Sequence, residues 1–499
     1  MPDLAGARGP RYLAIADAIE RDIDAGALKA GDRLPPQRDL AWALGVTVGT
    51  VGRAYAEAHR RGLVGGQVGR GTYVNDARAR GTDAMPAAEA GPRAPLRLPP
   101  AQDEPGVNWF AVHGDALAAL DMSPNYPNAD GMAEMVAAGL ARLGDGARLG
   151  ALVNYAHPGG RPEHRAAGAR WLRRRGVEVN PDGLVISPGA QGGMTAVFSA
   201  ITRPGDTILC EALSWPGLIS FAWVRGLRAR GVAMDRDGMV PEAFEEACAR
   251  HRPAAAYLMP TMHNPTTAVL TEARRARIAE IARRYEVWLV EDDVYGFLAP
   301  DAPPPMRIFA PERAVYVSSL SKAVAPGLRI GFVAGPERLM PAISAALRTT
   351  MLMGAPLQSE LAMHLIDSGL AEEAAERQRA SAGRRQRLAA AMLGDLYDPR
   401  GGGNGRAFHL WMPLPASWRL HDFVGALNAR GVSVTPGDAF LVNPGGQADG
   451  AAHPSAAPVP LHAVRVCLNG LANDDDLRHG LAILAALLRH PAREALAVI

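Results

Sequence analysis

The 499 residues are 48% hydrophobic and 21% charged, which suffices for a large packed core and is too long for one domain of roughly 100–200 residues. A formal net charge of +2 excludes a chain-wide basic signal for nucleic acid, so any such signal must be local. Three well-separated cysteines, Cys210, Cys248 and Cys467, exclude a disulfide framework or a C-x-x-C zinc site and fit a reducing cytoplasm, and no apolar run reaches the ~18 residues that would span a membrane.

The first 75 residues read as three short helices and a hairpin. Tyr12, Ile15, Ala16, Ile19 and Ile23 share one helical face, and Gly26 and Gly31 end that helix. Pro35-Pro36 open a second helix with Arg38, Asp39, Leu40, Trp42 and Leu44, and Gly45 turns the chain. Residues 46–59 predict a third helix with Val51, Tyr55 and Ala58 turned inward. Leu63-Val64, a Gly-rich tip over 65–71 and Thr72-Tyr73-Val74 predict a hairpin, the wing of a helix-turn-helix. Residues 1–37 hold five Lys/Arg and six Asp/Glu, net −1; residues 38–75 hold five Arg and two Asp/Glu, net +3. The positive half is the one with the third helix and the wing.

This segment resembles the winged helix of GntR-type repressors, through the run AGALKAGDRLPPQRDLAWALGVT and the closing GRGTYV. The resemblance implies that double-stranded DNA is the partner. It places Arg38 at the start of helix two, Thr47 and Thr50 at the start of helix three, Arg53, and Arg70 in the wing against the duplex. Val48 stands where this group usually carries an arginine, and Gly52 where the wider family is often basic, so base readout shifts toward Arg53 and the wing. Gly49 and Gly52 also lower helix propensity by about 1 kcal/mol each.

Residues 76–105 change character, with Pro86, Pro92, Pro95, Pro99, Pro100 and Pro105 and no hydrophobic period. This predicts a linker averaging ~30 Å as a coil, or ~90 Å as polyproline, long enough to hand the head to a partner subunit. Beyond it, Asp121-Met-Ser-Pro-Asn-Tyr-Pro127 and Tyr155-Ala-His-Pro-Gly-Gly160 read as loops, the second followed by a helix through Ala166 and Trp171. Residues 184–187 predict a strand. Pro188-Gly189-Ala190-Gln191-Gly-Gly193 then opens a helix whose backbone N–H groups suit a phosphate. Further strands are predicted over 207–210 and from Val287, the latter ending in Glu291-Asp292-Asp293-Val294-Tyr295. Asn264-Pro265 follows an apolar run at 254–259, and residues 445–460 form a Gly- and Pro-rich insert expected on the surface.

The chemistry centres on residues 317–334, VSSLSKAVAPGLRIGFVA. Apolar runs at 314–317 and 330–334 read as buried strands. Between them lie Ser319, Ser321, Lys322, a Pro326-Gly327 break and Arg329. Burying an ammonium is costly unless something compensates. One compensation is chemical, a Schiff base between the lysine and an aldehyde. Arg329 and the serines would then suit a phosphate, Arg by its charged fork and Ser by hydrogen bonds.

This stretch resembles the lysine motif of fold-type-I pyridoxal-phosphate enzymes, the aspartate-aminotransferase group. The resemblance implies pyridoxal 5'-phosphate as cofactor and Lys322 as its covalent anchor and catalytic lysine. It places Gly189, Ala190, Gln191, Ser319, Ser321 and Arg329 at the phosphate, Ala190 standing where Ser or Thr is more usual. Trp215 stacks on the ring, Asn264 and Tyr295 bond the phenolic oxygen, and Asp292 faces the pyridine nitrogen, with Asp293 the rival carboxylate. Thr267 replaces a commoner glycine. Tyr155 reaches the neighbouring subunit's phosphate, which implies a homodimer, and Arg465 in Ala463-Val-Arg-Val-Cys-Leu-Asn469 binds a substrate carboxylate.

The expected fold class is α/β: a winged helix-turn-helix over 1–75, the linker over 76–105, and an aminotransferase-like domain over 106–499. That domain has a mostly parallel sheet in a large part at about 150–345 and a smaller C-terminal α+β part at about 346–499. The combination resembles the MocR subfamily of GntR-type regulators. It implies a cytoplasmic transcription factor that senses a small amine or amino acid by exchange at Lys322. The alternative is a working aminotransferase with an accessory DNA-binding head.

Overall fold

In the N-terminal unit, apolar spacing of three and four residues sets the core. Ile15 and Ile19 of α1 (Arg11–Asp24), Leu40 and Ala41 of α2 (Gln37–Leu44), and Val51, Ala54, Tyr55 and Ala58 of α3 (Val48–Arg60) pack together with Leu63, Val64 and Val74. Gly45 takes the left-handed conformation that closes α2, at φ 63. Thr47 accepts the Thr50 N–H at 3.2 Å, so it caps α3 and the helix begins two residues later than the apolar pattern suggests. The hairpin pairs β1 (Val64–Gln67) with β2 (Gly71–Val74) in antiparallel register.

The computed structural model describes residues 11–60, 63–67, 71–75, 120–143, 146–398, 405–442 and 459–490. The linker reading, Arg70, the side chain of Arg38 and most of the 445–460 insert lie outside them. The chain divides into two compact units, Met1–Arg97 and Leu98–Ile499. Among the described residues, no helix is long and apolar enough to cross a membrane.

The second unit is built on seven strands: β3 (Leu184–Pro188), β4 (Thr207–Glu211), β5 (Arg228–Val232), β6 (Ala255–Leu258), β7 (Trp288–Asp292), β8 (Ala314–Ser319) and β9 (Ile330–Ala334). Their order is β3-β9-β8-β7-β6-β4-β5. Every pair is parallel except those of β9, which runs antiparallel to both β8 and β3. Apart from the edge strand β5, where Arg228 and Arg230 are exposed, these strands are largely buried on both faces, which is why they read as apolar runs. Separate clusters cover them, one around Phe198, Val290 and Val317, another around Phe244, Ile278 and Leu289.

A smaller antiparallel sheet joins His409–Pro413, Ala463–Cys467 and Thr435–Pro436. Beside it, Leu120–Asp121 pairs in parallel with Val432–Ser433. Leu120 and Met122 therefore sit in the same core as Phe423, Val466 and Leu481. The loop that follows is carried from the small sheet to the carboxyl edge of the large one, where ligands collect in open α/β sheets.

Candidate functional site

At that edge lies a cavity of about 240 Å³ lined by Asn125, Ala190, Gln191, Trp215, Asn264, Asp292, Tyr295, Ser319, Ser321, Lys322, Arg329 and Arg465, with Tyr126, Met194, Met259, Val294 and Pro326 between them. The sequence-derived pocket residues thus meet in one place, from segments up to 340 residues apart. Gly189 lies directly behind Arg329. Tyr155 is 77% exposed and stands away from its own chain's cavity.

Lys322 follows the end of β8 in a tight turn anchored by the fully buried Leu320. Its Nζ donates to the Asn125 carbonyl and lies 5.7 Å from the Tyr295 ring centre. Burial, then the nearby Arg465 charge, lowers its pKa to about 8. Lys322 is also one of only two lysines in the chain, the other being Lys29. Arginine supplies nearly all other positive charge here, so an amine at 322 points to chemistry that a guanidinium does not perform.

Asp292 ends β7, is 4% exposed, and accepts from Tyr257 Oη at 2.8 Å and from the Val294 N–H at 3.3 Å. Burial outweighs those bonds and raises its pKa to about 6. The rival carboxylate turns the other way: Asp293 accepts from Arg175 Nε at 3.2 Å and from Tyr316 Oη at 2.6 Å. Strand alternation thus separates the two, and only Asp292 enters the cavity.

The opposite wall is a cradle for an anion. Gly189 begins the 13-residue helix α4 (Gly189–Ile201) at φ +72, and a Cβ there would stand 2.5 Å from Arg329 Nη2. Gly331 in turn leaves the space that the Gly189 backbone fills. Arg329 adopts φ 51, rare for a residue with a Cβ. Ser321 Oγ is buried with no hydrogen-bond partner among the described residues. A guanidinium admitted by one glycine, an unsatisfied hydroxyl and a helix N-terminus together fit a phosphate.

On the third side, Arg465 Nη1 donates to Asn264 Oδ1 at 2.8 Å. Its Nη2 reaches the Ser123 carbonyl at 2.7 Å and Thr435 Oγ1 at 3.3 Å. Its guanidinium carbon lies 4.9 Å from the Phe440 ring centre. Asn264 precedes a cis proline, and Thr267 takes φ 62, a left-handed conformation that explains why glycine is commoner there. Trp215 precedes the helix Pro216–Val224, its indole folded over Gly217, where a Cβ would overlap it.

Three residues of this neighbourhood escaped the sequence. Asn125, Tyr257 and His409 matter through partners at separations of 170, 35 and 284 residues, and no local pattern marks them. In the head, Arg53 is exposed with its guanidinium carbon 5.6 Å from the Tyr12 ring centre. Thr47 Oγ1 lies within 2.9 Å of Thr50 Oγ1 and caps α3.

A buried lysine, a buried carboxylate and an anion cradle, all at the carboxyl edge of this sheet, fit the chemistry of pyridoxal phosphate. Residues 125–457 match the model of the family described as aminotransferase class I and II, and residues 11–74 that of bacterial regulatory proteins, gntR family. The chain belongs to the aminotransferase class I and II family and carries a GntR-type head, a combination consistent with the MocR subfamily of regulators. It is 28% identical over 487 residues to YdeF of Bacillus subtilis (strain 168), an uncharacterized HTH-type transcriptional regulator, covering 98% of this chain and 96% of the relative. It is also 28% identical over 472 residues to PtsJ of Salmonella typhimurium, a vitamin B6 salvage pathway transcriptional repressor, covering 93% and 95%. Among solved structures it resembles LysN, the α-aminoadipate aminotransferase of Thermus thermophilus, with TM-score 0.64 and 22% identity over 78% of this chain and 98% of that one. That likeness shows the fold.

Proposed function

We propose that this regulator senses a small amine or amino acid at Lys322 and converts its binding into altered affinity for DNA. The observation that carries the reading is the presence, in one chain, of a GntR-type head and a cavity whose only lysine is Lys322. Pyridoxal phosphate, when bound, supplies an aldehyde that the lysine or an incoming amine can occupy in turn. Arg329, Ser319, Ser321 and the N–H groups of Gly189, Ala190 and Gln191 would hold its phosphate. Asp292 would meet the ring nitrogen, Asn264 and Tyr295 would bond the phenolic oxygen, Trp215 would cover the ring, and Arg465 would hold a ligand carboxylate.

A free Lys322 amine stands in a site that disfavours its charge. The ligand regulates only so far as it binds two domain arrangements unequally. Tyr155 supports a homodimer: it is exposed beside Val153, itself 73% exposed, as a group reaching a second copy's phosphate would be. Two heads on one dimer raise DNA affinity through effective concentration. The cavity also supports a second reading, turnover as an aminotransferase, because an amine of pKa about 8 can carry a proton near neutral pH. Conversion of a keto-acid acceptor by the purified protein would favour that reading.

Two results are expected. Only the neutral amine of Lys322 can bond the aldehyde. With a pKa of about 8, capture of pyridoxal phosphate by cofactor-free protein should speed up about tenfold from pH 6 to 7 and level off above pH 8. An ordinary lysine would keep gaining through pH 10, and stopped-flow absorbance separates the two. On DNA, the full chain should sediment as two copies per duplex on a sequence selected from a random pool. Arg53→Ala should lower the slope of log affinity against log salt by about 1 per lost phosphate contact. An unchanged affinity would remove α3 from the interface.

A further inference from the structure

Asn125 holds an unusual position in the cavity. Its Nδ2 lies 2.8 Å from Tyr295 Oη and 3.0 Å from His409 Nδ1. The other ring nitrogen, His409 Nε2, is 3.0 Å from the Pro265 carbonyl. A carbonyl oxygen only accepts, so Nε2 carries the hydrogen. Burial, ahead of the charge of Arg465, holds His409 well below its usual pKa, so the ring is neutral and Nδ1 is a bare acceptor. The Asn125 amide can then point only one way. Its two hydrogens go to His409 and Tyr295, and its Oδ1 is left over.

That Oδ1 is buried with no donor among the described residues, on a residue 7% exposed that lines the cavity. Leaving such an acceptor unpaired is costly, by about 1–3 kcal/mol. A buried donor of the same cavity is in the matching condition: Arg465 Nε has no acceptor among the described residues, while its other nitrogens are held by Asn264, Ser123 and Thr435. The cations lining the cavity are Lys322, Arg329 and Arg465. Lys322 is the exchange group and Arg329 belongs to the phosphate cradle, which leaves one cation for ligand carboxylates.

We propose that Asn125 selects the ligand of this cavity, and that the ligand is an amino acid with a single carboxylate, for Arg465, and a neutral hydrogen-bond donor that reaches Asn125 Oδ1. The inference rests on the reading of Lys322 as the exchange site. The ligand's own amine is engaged where the lysine was, so the donor is a further group, such as a carboxamide or hydroxyl. A second carboxylate would meet an acceptor and no free cation.

The test uses the full-length, cofactor-loaded protein and matched probes: glutamine with methionine, asparagine with leucine, serine with alanine, and glutamate alone. Cofactor absorbance reports exchange at Lys322, and calorimetry reports the dissociation constant. In at least one pair the donor member should bind roughly two- to tenfold more tightly, as one net hydrogen bond provides, and glutamate should bind more weakly than glutamine. In Asn125→Leu that ratio should fall to near one while other amino acids still shift the absorbance. If this variant loses the cofactor, Asn125→Ala decides by the same ratio. Flat pairs in the wild type, a ratio that survives in the variant, or glutamate equal to glutamine would overturn the proposal while absorbance still responds. An absorbance that responds to no amino acid overturns the exchange reading itself, and this inference with it.

Discussion

Lys322→Ala should leave the protein with no covalent, borohydride-reducible link to pyridoxal phosphate and without the absorbance band that accompanies it. The expected loss is complete rather than graded, because no other lysine lines the cavity and the only other lysine in the chain, Lys29, belongs to the N-terminal unit. Ser319 and Ser321 can hydrogen-bond a phosphate but cannot replace an amine. The cradle of Arg329 and α4 would remain, so residual reversible binding of the cofactor is compatible with the account. Peptide mapping after borohydride gives a clear answer: label on the wild type should fall on the peptide containing Lys322 alone. A reducible adduct that persists in Lys322→Ala would show that another group anchors the cofactor.

Gly189→Ala should weaken cofactor binding by roughly one to two orders of magnitude without touching the lysine. The residue sits at φ +72, where a Cβ costs roughly 1–2 kcal/mol, a cost that falls on stability with or without the cofactor. The new methyl would also stand 2.5 Å from Arg329 Nη2, so the guanidinium must leave the place where it would meet the phosphate. A charge-assisted hydrogen bond is worth about 1.5–3 kcal/mol, which converts to the stated range. Gly205→Ala is the control, since Gly205 has φ +92 but nothing within 4 Å of its missing Cβ. It should lose stability alone and keep its affinity for the cofactor. Equal affinities for wild type and Gly189→Ala, measured by fluorescence titration, would remove Arg329 from the phosphate site.

The parts of this molecule that the sequence makes legible are those whose physics is local. The Gly45 turn, the inward face of α3 and the wing follow from periodicity and turn chemistry. The lysine stretch is legible because a costly residue sits between two apolar runs. The antiparallel course of β9 does not follow from the apolar pattern, although ten residues separate it from β8, too few for the crossover that a parallel pair needs. Asp292 and Asp293 can be ranked in the sequence only by resemblance. The register of β7 decides between them, because adjacent strand residues face opposite ways.

Asn125 and His409 are invisible in the sequence for a different reason. Their hydrogen bonds close between the loop after Leu120–Asp121, the helical turn after β7 and the small sheet, which only the complete fold brings together. Thr47 has a second task that the resemblance does not state: its hydroxyl is engaged in starting α3.

The central claim is that chemistry at Lys322 sets DNA affinity, and the direct measurement is fluorescence anisotropy of a selected duplex titrated with the full-length protein. The titration is run with and without pyridoxal phosphate, and then with an amino acid that shifts the cofactor absorbance. This amino acid should change the dissociation constant by about 5- to 150-fold, the usual range of coupling between sites, and Lys322→Ala should show no such change. Affinity that stays constant while the absorbance shifts, or a Lys322→Ala protein that responds like the wild type, would contradict the central claim.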